Sequence, residues 1–397
     1  KYILPDFVLS TLIRLRCISV DLAWDTLCDA IEAMVTFGTH RGLSSPYVEN
    51  ILVANMLRQQ YRESRLSFPE IMLAAQCCNL QAGNPLNDVY ALTCLSSFPC
   101  EGPQVDYAVD TTQLFTSVSR TINSYFGLPI TLALAGLAKK DSQATLPSWV
   151  PHFGTQQRPL LLGHPTSNFS TSSAPHETLQ RATSNDNENA TLGQYDGSGD
   201  ELDANGRLKC SGYTIDSVTI VQSYLPPRRI CDQYDMTGYN LTEFVRWYEY
   251  ACSTEFPDVP NGSDALLLRF TEVIQARGCN HIWESDQPVS PQQTISLARD
   301  FLAYLDDPDV HPTNAIRVFA AACLPSYDRR FGLTGLGSFC LLPANTLPGD
   351  LGWLIRGSKV PVVLRKEGAF YRNVGECYVE GIMYGESHGV DGDLTII

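Results

Sequence analysis

The sequence predicts an α+β protein: helical N-terminal and middle segments, then a small, barrel-like antiparallel β-module at the C-terminus. Two observations carry this prediction. Apolar residues recur at spacings of three and four in the first 140 residues and again after residue 263, which is the helical period. After Arg330, short apolar runs alternate with glycine-containing turns, as strands of a small antiparallel sheet do.

Four segments follow from shifts in composition. We expect a mainly helical domain, a polar acidic insertion, a strand pair followed by helices, and the β-module, over 1–153, 154–206, 207–329 and 330–397 respectively. The insertion is rich in Ser, Thr, Asn, Asp and Gly, so it lacks the apolar residues that form a core. We expect it to be a surface excursion that limited proteolysis cuts first.

Helix starts in the first domain are marked by capping residues. Ser67 and Glu70 form a capping box, which predicts a helix start in SFPEIMLAAQCC. The other predicted caps are Asp21 before an apolar face from Trp24 to Met34, Asn84 with Pro85 behind it, and Asp110, whose helix ends at Gly127 and Pro129.

The second half begins with LKCSGYTIDSVTIV, 208–221, whose β-branched residues alternate roughly and predict a strand pair. Helices resume with Asp264 as a cap and with Ser290, whose partner Gln293 completes a capping box. Strands then follow in GWLIRG, VPVVLR and AFYRNVGECYVEGI. Gly368 suits the hairpin between the last two.

The charge and composition of the chain reduce the classes of binding partner to consider. The chain has 397 residues and a net charge of −15, from 28 Lys and Arg against 43 Asp and Glu. An acidic surface repels phosphate backbones and anionic lipids, which argues against nucleic acid and membrane surfaces. The longest apolar run, 128–138, is too short for a membrane span.

The sequence has no nucleotide-binding, hydrolase-elbow or zinc-protease motif. Its 7 histidines and 13 cysteines are scattered without metal-ligand spacing, so we expect no metal and no cofactor. Reduced thiols in this pattern favour a cytoplasmic protein. A catalytic site assembled from distant residues stays open, and its residues are unknown at this stage.

The motif GECYVEG, 375–381, poses the question of catalysis most sharply. Gly375 interrupts strand alternation and predicts a bulge or a close backbone approach. Cys377 then points inward, where burial raises a thiol pKa and favours packing over nucleophilic attack. Glu376 is more often a surface or ion-pair residue than a general base.

The segment LPSWVPHF, 146–153, is held extended by its prolines. Trp149 is either a core anchor or, with His152, part of a pocket lining. We expect this segment to pack near the closing strands. The candidate pocket at that junction comprises Trp149, His152, Tyr371, Glu376 and Tyr378, and the alternative is solid core.

Several segments together resemble the fungal heterokaryon-incompatibility proteins, in the region that follows their HET domain. The resemblance covers about three quarters of the chain. It rests on NPLNDVYAL, VDYA, LPSWVPHF, LKCSGYTIDSV and the closing run from RRFGLTG to GECYVEGIMYGE. The N-terminal 27 residues resemble the end of the HET domain itself. Where the family has the charged sequence DPRDK, this chain has Asn84 to Asp88.

The resemblance implies a regulatory or interaction scaffold in non-self recognition and cell death, with a protein partner. The alternative is an enzyme of fungal secondary metabolism derived from the same scaffold, a cofactor-free cyclase, lyase or isomerase. Such an enzyme would act on a small apolar terpenoid or polyketide by positioning alone. The sequence leaves the oligomeric state open.

Overall fold

The computed structural model describes most of the chain outside the polar insertion. The described residues are 4–17, 20–36, 46–77, 82–96, 102–136, 146–154, 162, 201–203, 206–226, 241–256, 259–277, 290–307, 312–385 and 390–397. They fall into two compact units. Unit 1 comprises Lys1–Val118, His152–Arg158 and Arg229–Met236, and unit 2 comprises Ser119–Pro151, Pro159–Arg228 and Thr237–Ile397.

In its described residues, unit 1 is helical apart from one small hairpin. Its elements are α1 (Leu4–Leu9), β1 (Arg14–Cys17), β2 (Val20–Ala23), α2 (Trp24–Thr36), α3 (Pro46–Arg62), α4 (Phe68–Cys77), α5 (Asn87–Thr93) and the first half of α6 (Thr111–Phe126). The buried Arg58 of α3 holds α1 and the turn after it, because its guanidinium donates to the carbonyls of Phe7 (2.7 Å) and Thr11 (3.1 Å).

Two of the predicted N-terminal caps are confirmed. The Glu70 carboxylate accepts the Ser67 N–H at 2.8 Å, and the Glu70 N–H donates to the Ser67 hydroxyl at 3.4 Å. The Asp110 carboxylate accepts the Thr112 N–H at 2.8 Å. These three bonds satisfy amides at a helix start that have no partner within the helix.

The caps predicted at Asp21 and Asn84 are wrong. Asp21 lies in β2 and forms an ion pair with Arg16 of β1 at 3.2 Å, because the residues before Trp24 pair as a hairpin instead of entering the helix. Asn84 accepts the Leu86 N–H at 3.0 Å but caps only a tight turn, so α5 begins later, at Asn87. Pro129 likewise ends no helix, since it is the second residue of α7.

The helices described in unit 2 are the second half of α6, then α7 (Leu128–Gly136), α8 (Thr242–Ser253), α9 (Asp264–Ile274), α10 (Pro291–Asp306), α11 (Asn314–Ala322) and a 3-10 turn at Leu324–Ser326. Helices α7, α8 and α9 pack against strands of its sheet. The capping box of Ser290 and Gln293 is confirmed. The cap of α9 is Ser263, one residue before the predicted Asp264, and its hydroxyl accepts the Leu266 N–H at 3.2 Å.

In the described part of unit 2, the sheet has nine strands. They are β3 (Glu201–Leu202), β4 (Leu208–Tyr224), β5 (Arg329–Thr334), β6 (Phe339–Pro343), β7 (Leu351–Ile355), β8 (Val362–Glu367), β9 (Phe370–Glu376), β10 (Tyr378–Val379) and β11 (Val390–Ile396). Pairing runs β10-β6-β5-β4-β11-β9-β8-β7, and β7 pairs back onto β4. Strands β4, β11, β9, β8 and β7 therefore form a partly closed ring, which confirms the α+β class and shows the predicted barrel-like arrangement in part.

The predicted strand pair at 208–221 is wrong, because these residues belong to the single strand β4. Its first half pairs with β11 and β7, and its second half pairs with β5. Register shifts at Thr214–Asp216 and again after Val218 let one strand bend from the ring into the second part of the sheet. A continuous strand keeps its backbone groups bonded where a turn would interrupt the ladder.

The ring is antiparallel except where β9 meets β11, through one parallel bridge between Tyr371 and Ile396. The hairpin from β8 to β9 turns at Gly368, as predicted, with φ +65°. Among the described residues, no helix combines the length and apolarity that crossing a membrane requires.

Candidate functional site

The closing strands of unit 2 contain a fully buried ion pair. Arg329, the first residue of β5, donates from Nη2 to the Glu376 Oε1 at 2.8 Å and from Nη1 to the Glu376 carbonyl oxygen at 2.7 Å. The two side chains are 1% and 0% exposed. Burying two charges is costly unless they are paired and hydrogen-bonded, and this geometry supplies both conditions.

Gly375 sets the position of this carboxylate. Val363 pairs with Gly375 and Leu364 with Asn373, so Val374 is an extra residue that forms a bulge. Gly375 has φ +140°, and a Cβ on Gly136 of α7 would lie 2.0 Å from the Gly375 Cα. The predicted bulge and the predicted close approach are both present. Glycine is required at position 136 because a Cβ there would clash with the strand backbone, and at position 375 because side chains rarely adopt φ +140°.

A residue of the polar insertion also contacts Glu376. The Leu162 N–H donates to the Glu376 carboxylate, and Leu162 itself is 0% exposed. The expectation of a surface excursion over 154–206 is therefore wrong at Leu162. At the other end of this range, β3 pairs with β4. Residues 163–200 lie outside the described part of the chain, so the prediction for them is untested.

Cys377 follows the ion pair and is buried in an apolar cluster with Cys340 and Val379. Burial raises the pKa of the Cys377 thiol to about 12, although the neighbouring Arg329 acts in the opposite direction. Burial also raises the pKa of Cys340 well above its usual range. Both thiols are neutral near pH 7 and lack the thiolate that nucleophilic attack needs, which agrees with the structural role predicted for Cys377.

The two candidate tyrosines differ in burial. Tyr378 is 5% exposed, and burial raises its pKa, with smaller contributions from nearby acidic groups. Tyr371 is half-buried, and its ring meets Trp353 edge to face with centroids 5.6 Å apart. Its carbonyl accepts the Ile397 N–H at 2.9 Å. Tyr378 is therefore part of the core, while Tyr371 lies where β9 and β11 meet.

The segment LPSWVP packs against these strands, as predicted. The Ser148 hydroxyl accepts the Asn373 N–H of β9 at 2.9 Å, and the Ser148 N–H donates to the Ile397 carbonyl at 2.8 Å. Ser148 thus bridges β9 and the end of β11 where the two strands diverge. Trp149 is 1% exposed and donates from Nε1 to the Gly206 carbonyl at 3.0 Å, which is the geometry of a core anchor.

His152 belongs to unit 1, so the five candidate residues are divided between the units. Its ring meets Phe115 edge to face at 5.5 Å. A Cβ on Gly154 would lie 2.4 Å from the Asp88 Oδ2 and 3.2 Å from the His152 Cε1, which places the carboxylate and the imidazole together. This meeting of NPLNDVYAL with LPSWVPHF was not predicted. The pocket hypothesis itself stays a prediction.

Sequence reasoning also missed Arg329. The available signal was the pair Arg329–Arg330 at the start of an apolar strand, since a charge at a buried strand position requires a partner. Arg330 is anchored differently, through its Nε to the Ala344 carbonyl at 2.7 Å. Within the described residues, no group of three or more His, Cys, Asp and Glu side chains could hold a metal ion.

Comparison with known proteins gives no further assignment. No family model, no curated protein and no solved structure matches this chain.

Proposed function

We propose that the chain is an interaction scaffold, and that it serves in fungal non-self recognition and cell death, as its resemblance to the heterokaryon-incompatibility family implies. The observation that carries the scaffold role is the Arg329–Glu376 pair. The Glu376 carboxylate of the GECYVEG motif is 0% exposed and is bonded to Arg329 and Leu162. A general base must reach the proton that it removes.

The same argument extends to the neighbouring groups. Cys377 is a neutral buried thiol, and Asp350 of the β6–β7 turn is held by both nitrogens of Arg365, each at 2.8 Å. These motif residues stabilise strands and turns instead of presenting chemistry to a substrate. A rigid β-module of this kind suits a protein that binds other proteins.

Deletion of the gene in the fungus that carries it tests the proposal. A scaffold of non-self recognition predicts that fusion with incompatible strains no longer kills the fused cells, scored by uptake of a vital dye, while the metabolite profile is unchanged. Complementation with Cys377→Ala should restore cell death in proportion to the amount of folded protein.

The opposite result identifies the alternative enzyme. Loss of one terpenoid or polyketide product, with accumulation of its uncyclised precursor and with normal cell death, would overturn the scaffold assignment.

A further inference from the structure

Strand β11 is hydrogen-bonded along only one of its edges. It pairs with β4 over its full length, from Val390 opposite Thr214 to Ile396 opposite Leu208. Its other edge meets β9 only at Ile396, opposite Tyr371. Within the described part of the chain, the outer edge of residues 390–394 makes no strand pairing, which leaves about 16 Å of strand edge at about 3.3 Å per residue.

The direction of the free backbone groups follows from the single bridge. The Ile397 N–H donates to the Tyr371 carbonyl at 2.9 Å, away from β4. Strand residues alternate with a period of two, so the N–H and C=O groups of Asp391 and Asp393 also point away from β4. An edge of this kind is a template for another strand.

The side chains along this edge separate by face. Asp391 and Asp393 are exposed on one face. On the other face, Val390 is 78% exposed, and a Cβ on Gly392 would lie 3.6 Å from the Trp353 ring. The edge therefore offers carboxylates on one side and the exposed Val390 side chain on the other, next to the buried Trp353 ring. Asp391 already has one counter-charge, from Arg356 at 2.7 Å.

We propose that the outer edge of β11 binds an extended segment of a partner protein in which basic and apolar residues alternate. Main-chain bonds to Asp391 and Asp393 would add it as a further strand, as in other cases of strand addition. Its Lys or Arg side chains lie beside the two carboxylates, and its apolar side chains lie beside Val390.

The charges at this edge favour a different protein as the partner of β11 over a second copy of this chain. Antiparallel pairing of two β11 strands places the aspartates of both copies on the same face, and like charges on neighbouring strands are destabilising. The net charge of −15 adds to this repulsion and favours a basic partner. The inference rests on the proposed scaffold function, because it names the surface through which the scaffold engages its partner.

The test uses the full chain and a synthetic probe. The probe is a fluorescent peptide of about nine residues with alternating Lys and Val, and a peptide of the same composition with its lysines grouped is the control. We expect saturable binding of the alternating peptide in fluorescence anisotropy. We also expect slower amide exchange at Asp391 and Asp393, measured by NMR.

Two variants separate strand addition from simple charge attraction. Asp393→Pro removes an outward N–H without removing a bond to β4, and we expect it to weaken binding about fivefold to tenfold. Asp393→Asn keeps the N–H and removes one charge, so its effect should shrink as salt is raised. Thermal unfolding confirms that each variant is folded. As a second route, Asp391→Lys with Asp393→Lys should transfer the preference to a peptide of alternating Glu and Val.

Equal binding of both lysine peptides without protection of the two amides overturns the proposal, because it shows non-specific attraction. Concentration-dependent dimerisation that protects the same amides overturns the choice of partner. If either result is obtained while deletion of the gene abolishes cell death after incompatible fusion, this surface is rejected and the scaffold function is retained. If deletion of the gene leaves cell death unchanged, the scaffold function is rejected whatever the result of the peptide-binding measurements.

Discussion

Removal of the Glu376 charge tests the central feature of the closing strands. Glu376→Gln preserves side-chain shape and an oxygen that accepts the Leu162 N–H. It removes the negative charge, however, and leaves the Arg329 guanidinium, 1% exposed, without its counter-charge. A solvent-exposed arginine would recover hydration on losing its partner, whereas Arg329 has no access to water.

The magnitude follows from that burial. Removing one partner of a buried ion pair costs about 3–5 kcal/mol, because an uncompensated charge remains in the interior. Domains are stable by about 5–15 kcal/mol in total, so this one atom-for-atom change should remove a large share of the stability of the β-module. Arg329→Met together with Glu376→Gln removes both charges. The double variant should lose less free energy of unfolding than the two single variants lose in sum, by more than about 0.5 kcal/mol.

Urea unfolding followed by tryptophan fluorescence gives the free energy of unfolding, and Trp149 and Trp353 report on unit 2. The matched control is Arg299→Gln, which breaks an ion pair with Asp264 whose side chains are 61% and 58% exposed. Exposed pairs of this kind contribute about 0–1 kcal/mol. A loss below about 1 kcal/mol for Glu376→Gln, or strict additivity in the double variant, would refute the reasoning.

Three further predictions test separate parts of the fold. Cys377→Ala should flatten the dependence of stability on pH at alkaline pH. In the wild type, the pKa of the Cys377 thiol is raised to about 12 in the folded state, against about 8.5 in the unfolded state. The wild type therefore loses stability as the pH rises from about 8.5 towards 12, by up to about 1.4 kcal/mol per pH unit, and the variant does not. An identical slope in variant and wild type would contradict this. Gly136→Ala should cost about 1–3 kcal/mol or more through its clash with the strand. Gly83→Ala, which has nothing within 4 Å, should stay within about 0.5 kcal/mol, and similar melting temperatures for the two would exclude the close approach. Ser290→Ala should cost about 1 kcal/mol in urea unfolding through loss of the α10 cap, and Ser290→Thr should recover most of it.

The sequence determined the features that depend on neighbouring residues. The capping boxes at Ser67 and Ser290 and the hairpin turn at Gly368 all follow from residues within a few positions of one another. The bulge at Gly375 was also foreseen, because a glycine within an apolar strand has few other causes. Cys377 was placed in the core by the same strand alternation.

The predicted boundaries of helices and strands were wrong where two local signals competed. Asp21 is a good capping residue, but the residues around it also pair as β2, and the hairpin prevailed. Likewise, β4 shows the alternation of a strand pair. Its continuity depends on pairing with β5, β7 and β11, and these distant partners cannot be predicted from the residues of β4 alone.

The tertiary structure alone decided the role of the closing motif. Arg329 and Glu376 are 47 residues apart, and Ser148 and Asn373 are 225 residues apart. The sequence shows which groups are chemically reactive, but burial and partner decide whether a carboxylate acts as a base or stabilises a core. Those two quantities depend on the folded chain as a whole, because the cost of a buried charge is set by every atom that excludes water from it.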